Sequence, residues 1–213
     1  MEEVKGGCVR VRMLVMGPIG NNVYLLDDGA DGTIAVDPTQ EAEGIIAAAG
    51  GKISAIFITH SHWDHLGAAS ELRRKTNAPV YASRIDSRVI EEGQWDGHRR
   101  IEGCEVDRKL EDGDVFEVGK TRWKALLTPG HTKGGLCFYC DRGTRAGAPV
   151  LVSGDTLFCA SIGRTDFEGG SMADMRRSLG RLGRLPDATL VLPGHMQTTT
   201  IQAERGRTIQ ALQ

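Results

Sequence analysis

The sequence predicts a layered α/β fold with one metal site on its rim, and three observations predict it. Short apolar runs rich in branched residues, stopped by Gly or Pro, read as buried strands: Ile53 to Ile58, Trp123 to Leu127, Pro149 to Val152 and Ala188 to Leu192. Segments of helical length lie between several of them. Five of the six histidines, with two aspartates, stand just beyond those four runs: His60-Ser61-His62-Trp63-Asp64-His65, then His131, Asp155 and His195. In layered α/β folds the loops beyond strand carboxyl ends are the usual place for a site, because segments distant in sequence meet there.

The stretch from Val9 to Met16 is interrupted by Arg10 and Arg12, which makes it a strand and leaves no signal peptide in view. Further strands are expected near residues 22–27 and 33–37, then a helix near 41–49, the strand at 53–58, and a helix from after His65 to about Lys75. A short strand at Pro79 to Tyr81 and a helix from Ser83 to about Glu92 follow, with more strands through Val152. A helix near 172–185, the Thr189 to Leu192 strand and a short terminal helix complete the order. The 213 residues exceed the ~100 to 200 of an average domain, but layered sandwiches reach ~250 undivided, so residues 1–213 are read as one domain. Glycine fills 28 positions, well above the usual ~7 %, and gathers around the ligand segments, where turns need positive φ or close backbone approach.

Neutral imidazoles and carboxylates are the ligands that borderline cations such as zinc and iron accept. His60, His62, Asp64, His65, His131, Asp155 and His195 make seven donor groups. One zinc ion takes about four protein ligands in a structural site and about three plus water in a catalytic one. Two metals sharing a bridging carboxylate, roughly 3.5 to 4 Å apart, can use all seven and deprotonate a water held between them. His60 and His62, two apart in an extended segment, point the same way, while Asp64 and His65 face elsewhere after the turn and can serve a second ion.

The HSHWDH run at 60–65 resembles the HxHxDH signature of the metallo-β-lactamase superfamily. The resemblance extends from Asn21-Asn22-Val23-Tyr24-Leu25-Leu26 and Ala35-Val36-Asp37-Pro38 through TPGHT, SGDTLF and LPGH. It implies a four-layer αββα sandwich with a dinuclear site: His60, His62 and His131 on one metal, Asp64, His65 and His195 on the other, and Asp155 bridging. Asp37 matches the family's acidic position beneath the site, where it would orient a ligand by hydrogen bond. Two divalent ions are implied, zinc first, with iron or manganese as alternatives.

Within the superfamily, Gly154-Asp155-Thr156-Leu157-Phe158 and the following Ser161 to Phe167 look like the compact glyoxalase II-like hydrolases. That resemblance implies hydrolysis of S-D-lactoylglutathione or a related hydroxyacyl thioester, with Asp64 holding the second metal and orienting the attacking hydroxide. Arg164 matches the position of a cationic glutathione contact, with an ion pair to Asp166 or Glu168 as the structural alternative, and Lys133 is the next candidate to read substrate charge. Met196 and Gln197 depart from the GHG with which compact relatives continue the last motif. The Gly163-Arg164-Thr165-Asp166-Phe167 segment also resembles the persulfide dioxygenases of the same superfamily, and that competing resemblance implies one iron on His60, His131 and Asp155, two histidines and a carboxylate being a set that suits iron and dioxygen. A β-lactamase is disfavoured by the glyoxalase-like motifs and by the lack of a visible secretory signal.

A formal charge of -2 and a pI near 6.3 give no broad basic face, which counts against nucleic-acid substrates. Arg176, Arg177, Arg181 and Arg184 fall on the helix expected near 172–185 and read as a solvated face. No apolar run approaches the ~20 residues of a membrane span. A cytoplasmic enzyme acting on a small-molecule thioester, with no nucleic-acid or membrane partner, is expected, its oligomeric state left open. The five cysteines are expected reduced, and strand alternation puts Cys137 and Cys140 on opposite faces. His98 reads as a surface loop residue and Trp63 as packing beneath the metal loop.

Overall fold

In the computed structural model, which describes residues 1–212, period-two alternation along the strands decides which faces pack together. The amino-terminal half forms β1 (Glu2–Val4), β2 (Val11–Met16), β3 (Asn21–Asp27), β4 (Thr33–Val36), β5 (Ile53–Phe57) and β6 (Val80–Ser83). A small ribbon of β7 (Gln94–Trp95) and β8 (Arg100–Ile101) precedes β9 (Arg108–Leu110), and the seven-stranded sheet runs β1-β2-β3-β4-β5-β6-β9. Its first four strands are antiparallel, and β4, β5, β6 and β9 are parallel. The second sheet holds β10 (Val115–Val118), β11 (Thr121–Leu127), β12 (Leu136–Arg142), β13 (Val150–Gly154), β14 (Leu190–Pro193) and β15 (Thr199–Thr200), with β13 and β14 as its parallel pair.

Tyr24, Leu26, Ile34, Val36 and Phe57 of the first sheet meet Trp123, Phe138, Val150 and Val152 of the second in one core between the sheets. The Phe57 ring stacks on Phe138 at 4.4 Å and meets Trp123 edge-on at 5.4 Å, and each such fully buried side chain contributes about 1.5–3 kcal/mol. The alternate residues Val23, Leu25, Ala35 and Ile56 face outward under α1 (Ala42–Ala49), α2 (Ala69–Thr76) and α3 (Ser87–Glu92). On the far side Cys137, Leu151 and Val191 lie beneath α4 (Met172–Leu182), α5 (Ile201–Glu204) and the π-helical turn Arg205–Ile209. This is the αββα order the sequence implied. Cys137 and Cys140 fall in different cores, as alternation requires, and all five cysteines are free.

Several boundaries differ from the sequence expectation. β2 begins at Val11, and Glu2–Val4 adds an edge strand beside it. His65 closes a single 3-10 turn, Trp63–His65, before α2 starts at Ala69. Ser83 ends β6, and α3 waits until Ser87, because Ser83 Oγ accepts from the Asp86 amide and Ser87 Oγ donates to the Arg84 carbonyl, a local turn that competes with helix. The helix expected to reach 185 stops at Leu182, where Gly183 follows and Pro186 blocks continuation. No helix among the described residues is long and apolar enough to cross a membrane.

Candidate metal centre

The seven donors expected from sequence meet on one rim, and the chain leaving each strand is tied down locally. Beyond β5, the Thr59 amide and hydroxyl donate to Asp37 Oδ1 and Oδ2 at 2.8 and 2.7 Å. Asp86 Oδ2 accepts from the Ser61 amide and the Thr132 hydroxyl, both at 3.0 Å, and so joins the 60–65 loop to the loop carrying His131. That second loop is held by α4: the Ser171 amide donates to the Gly130 carbonyl at 2.8 Å, and Ser178 Oγ to the Pro129 carbonyl at 2.7 Å. The parallel neighbours β13 and β14 end side by side, with the Gly194 amide on the Gly154 carbonyl at 2.9 Å, and deliver Asp155 and His195 together. Only glycine fits at 194, where a Cβ would lie 2.3 Å from Asp155 Oδ1 and 2.8 Å from His65 Cε1.

The donor atoms divide into two sets and a bridge. Those of His60, His62 and His131 lie within 4.8 Å of one another, and so do those of Asp64, His65 and His195. His62 Nδ1 faces His131 Nε2 at 2.8 Å. Asp64 Oδ2 is 3.2 Å from His65 Nε2 and 3.4 Å from His195 Nε2. Asp155 reaches both sets, its Oδ2 at 3.4 Å from His131 Nε2 and 3.6 Å from His195 Nε2, its Oδ1 at 3.6 Å from His65 Nε2. Buried His60 Nε2 and Asp155 Oδ1 have no hydrogen-bond partner. Leaving such atoms unsatisfied costs about 1–3 kcal/mol each. A cation would satisfy both, and the His/Asp groups, including His60 with His65 and Asp155, suit a divalent metal site.

The outer ring nitrogens are engaged so that the others face the site. His65 Nδ1 meets Asp37 Oδ2 at 2.9 Å, His131 Nδ1 the Arg164 carbonyl at 2.6 Å, and His60 Nδ1 the Thr59 hydroxyl at 3.0 Å. Asp37 therefore stands where the sequence put it. Asn21 was not singled out as a ligand-positioning residue, yet its buried Nδ2 donates to Asp64 Oδ2 at 2.7 Å and lies 3.4 Å from Nε2 of both His65 and His195. Asp86 and the Arg164 carbonyl were missed too. The one available signal was a pair of amides, Asn21-Asn22, opening an otherwise apolar strand.

The family model described as the metallo-β-lactamase superfamily matches residues 16–195. The chain belongs to this superfamily. A protein of Aquifex aeolicus (strain VF5) is 37 % identical over 202 residues, covering 92 % of this chain and 93 % of its own length. The probable metallo-hydrolase YqgX of Bacillus subtilis (strain 168) is 34 % identical over 203 residues, covering 91 % and 93 %. A hydroxyacylglutathione hydrolase of Gloeobacter violaceus is 37 % identical over 209 residues, covering 90 % of this chain and 75 % of its own. Among solved structures, the B3 metallo-β-lactamase BLEG-1 aligns with TM-score 0.83 and 30 % identity, covering 92 % of this chain and 96 % of its own. TTHA1623 in a di-iron-bound form gives 0.79 and 32 %, covering 92 % and 98 %. ETHE1 from Myxococcus xanthus gives 0.74 and 28 %, covering 92 % and 82 %.

The two donor sets differ in how their surroundings shift their protonation. Burial, then the neighbouring histidines, holds His60 well below its ordinary pKa, and burial also lowers His62 and His131. Burial pushes His65 down too, but Asp155, Asp37 and Asp64 outweigh it and hold the ring well above its usual value. His195 is likewise raised, the Asp64 hydrogen bond overcoming burial. Burial raises Asp155, whereas for Asp64 the His65 charge and the His195 hydrogen bond overcome burial and hold the carboxyl far below its usual range.

A cavity of about 870 Å³ opens over the ligands, with Lys133 and Arg164 in its wall. The Arg164 guanidinium is paired with Asp166 at 2.9 and 2.7 Å and lies 4.1 Å above the Phe167 ring. Trp63 packs against the core under α2, as expected, and also borders the cavity. His98 is exposed on the β7–β8 ribbon. Arg176, Arg177 and Arg184 are exposed on or just past α4, while half-buried Arg181 bonds Asp112 and the Leu127 carbonyl. Met196, where compact relatives carry glycine, takes φ 67°, a conformation that costs a non-glycine residue about 1 kcal/mol or more.

Proposed function

We propose that this chain hydrolyses thioesters with the help of two divalent cations, acting on S-D-lactoylglutathione or a related hydroxyacyl thioester. The observation that carries the reading is Asp155, whose two carboxylate oxygens reach the imidazoles of both donor sets. His60, His62, His131, Asp64, His65, His195 and Asp155 would hold the two cations, which would supply an acidified water, its pKa lowered from 15.7 towards ~7, and polarise the scissile carbonyl. Asp155 sets the two positions side by side. Asp64, steadied by Asn21, lies at the cavity floor and orients the attacking water. Asp37 and the Arg164 carbonyl keep His65 and His131 in the tautomer that leaves Nε2 free. Lys133 and Arg164 are the wall cations that meet substrate charge, Arg164 by exchanging Asp166 for a substrate carboxylate.

The likeness to hydroxyacylglutathione hydrolase supports the thioester, and the sequence match of GDTLF with compact glyoxalase II-like enzymes points the same way. Zinc is the proposed metal. Iron and manganese suit the same nitrogen and oxygen donors, and the likeness to a di-iron-bound structure favours iron as the first alternative. A second reading, a persulfide dioxygenase using one iron on His60, His131 and Asp155, takes support from the likeness to ETHE1. Anaerobic assay of the metal-loaded protein on S-D-lactoylglutathione, beside oxygen uptake with glutathione persulfide, separates the two. Thiol release without oxygen is expected; oxygen consumption with no thioester turnover establishes the dioxygenase.

A further inference from the structure

Thioester hydrolysis requires the donors at the cavity floor but does not require the character of its wall. Ile19, Ile85, Val89 and Phe167 are 55, 52, 42 and 43 % exposed, and all four border this one cavity, with Phe158 and Ile162 continuing the surface inward. They come from three separate places: the turn between β2 and β3, the amino-terminal part of α3 with the turn before it, and the loop after β13. Large apolar side chains left exposed singly are ordinary, but their convergence on a concave surface marks a ligand groove. Phe167 also reaches the metal site, its ring centroid 5.7 Å from His62 and 6.2 Å from His131. The apolar surface is therefore continuous with the donors.

Charge is scarce on that wall. Arg164 is paired with Asp166 and lies over the Phe167 ring, so a substrate carboxylate reaches it only by displacing Asp166. Asp86 is occupied by the Ser61 amide and the Thr132 hydroxyl. Apart from the metal ligands, Lys133 and Glu168 remain as wall charges with no ion-pair partner among the described residues. A glutathione arm carries two carboxylates and an ammonium group, and this wall offers it one cation without an ion-pair partner, Lys133, and one opposing carboxylate, Glu168.

We infer that the arm of the substrate lying along this wall is apolar, an alkyl or aryl group on either the acyl or the thiol side of the thioester. The inference rests on the hydrolase reading and deepens it. With the carbonyl fixed at the floor, the outward arm runs past Phe167 towards Ile85 and Val89, and each methylene it buries strengthens binding by up to about fourfold.

Two series of thioesters, assayed on the metal-loaded full chain, test this. One lengthens the acyl group from acetyl to decanoyl on N-acetylcysteamine; the other keeps D-lactoyl and lengthens the thiol from ethanethiol to octanethiol, with glutathione for comparison. The expected result is kcat/KM rising about two- to fourfold per methylene in one series, to a value above that for S-D-lactoylglutathione. The series that rises identifies the arm. A flat response in both, with the glutathione thioester preferred, overturns the inference and leaves the hydrolase reading intact. If no thioester is turned over, the hydrolase reading fails by itself, and calorimetric titration with alkyl thioethers of the same lengths decides: affinity rising with length supports an apolar arm, and length-independent affinity overturns it. Ile85→Asp and Val89→Asp, both at exposed positions, should flatten the length dependence, while Val115→Asp on β10, outside the cavity, should keep it. Retention of the full slope in the first two variants also overturns the inference.

Discussion

Asn21 holds no metal in the proposed division of ligands, yet it controls one that does. Its amide is buried against Asp64 Oδ2 and the facing nitrogens of His65 and His195. Asn21→Ala should weaken the second metal about 10-fold or more and leave the first nearly unchanged, as loss of an outer hydrogen bond to a ligand does. Metal titration followed by competition with a chromophoric chelator reads this directly, and equal weakening of both ions would remove Asn21 from that role. Arg164 gives a second residue-level prediction. Arg164→Ala loses a wall cation and the brace over Phe167, so KM should rise roughly 10-fold with kcat little changed, a loss of mostly uniform binding. Metal content should hold, because the backbone carbonyl that His131 uses survives the substitution. The seven donor residues that meet at the rim were legible in sequence because each follows an apolar strand-like run. Asn21, Asp86 and the Arg164 carbonyl were not: Asn21 acts on Asp64 forty-three positions away, and a carbonyl leaves no mark in residue type.

At the scale of elements, α5 is fastened to the loop that leaves the metal site. Glu204 accepts from the Ala160 amide at 3.0 Å, from Thr199 Oγ1 at 2.7 Å and from Thr208 Oγ1 at 2.6 Å, and pairs with Arg207. Burial pushes its carboxyl up, but Arg207, Thr208 and Thr199 outweigh burial and hold it below its usual value. A depressed carboxyl stabilises the fold above its unfolded pKa of ~4.3, and that contribution disappears as pH falls through the lower folded value. Glu204→Gln should cost about 1–3 kcal/mol at pH 7 and flatten the acid side of the stability curve below about pH 4.5. Urea unfolding at pH 7 and pH 4 measures both, and an unchanged difference between the two pH values would show that Glu204 does not carry it. Element ends were the least legible part of the sequence. The stop of α4 at Leu182 and the delayed start of α3 depend on Gly183 and on hydroxyl-to-backbone bonds around Ser83 to Ser87, where apolar periodicity carries no information.

For the whole molecule, the layer order was readable because the alternation is repeated over many strands, so an error at one end does not move a face. The placement of β9 beside β6, with the β7–β8 ribbon between them in sequence, was not readable, since pairing between distant segments is decided by packing. The same architecture gives the metals a structural task. His60, His62, Asp64 and His65 follow β5 of the first sheet, whereas His131, Asp155 and His195 lie on loops of the second. Ions held across that divide, as proposed, would clasp the two sheets at one rim, while three apolar cores hold the layers elsewhere. Binding at a concentration of about 1,000 Kd stabilises the folded state by ~4.1 kcal/mol per site. At roughly 2–4 °C per kcal/mol for a chain of this size, chelation should lower Tm by about 8–16 °C for each ion removed, and more for two. The far-UV circular dichroism of the chelated protein should stay native at 25 °C, since the cores do not depend on the ions. Restoring zinc should recover Tm, in two steps if two sites differ in affinity. A Tm indifferent to chelation, with metal loss verified in the same sample, would mean that the rim is held by its hydrogen bonds alone and that the clasp is not a stabilising element.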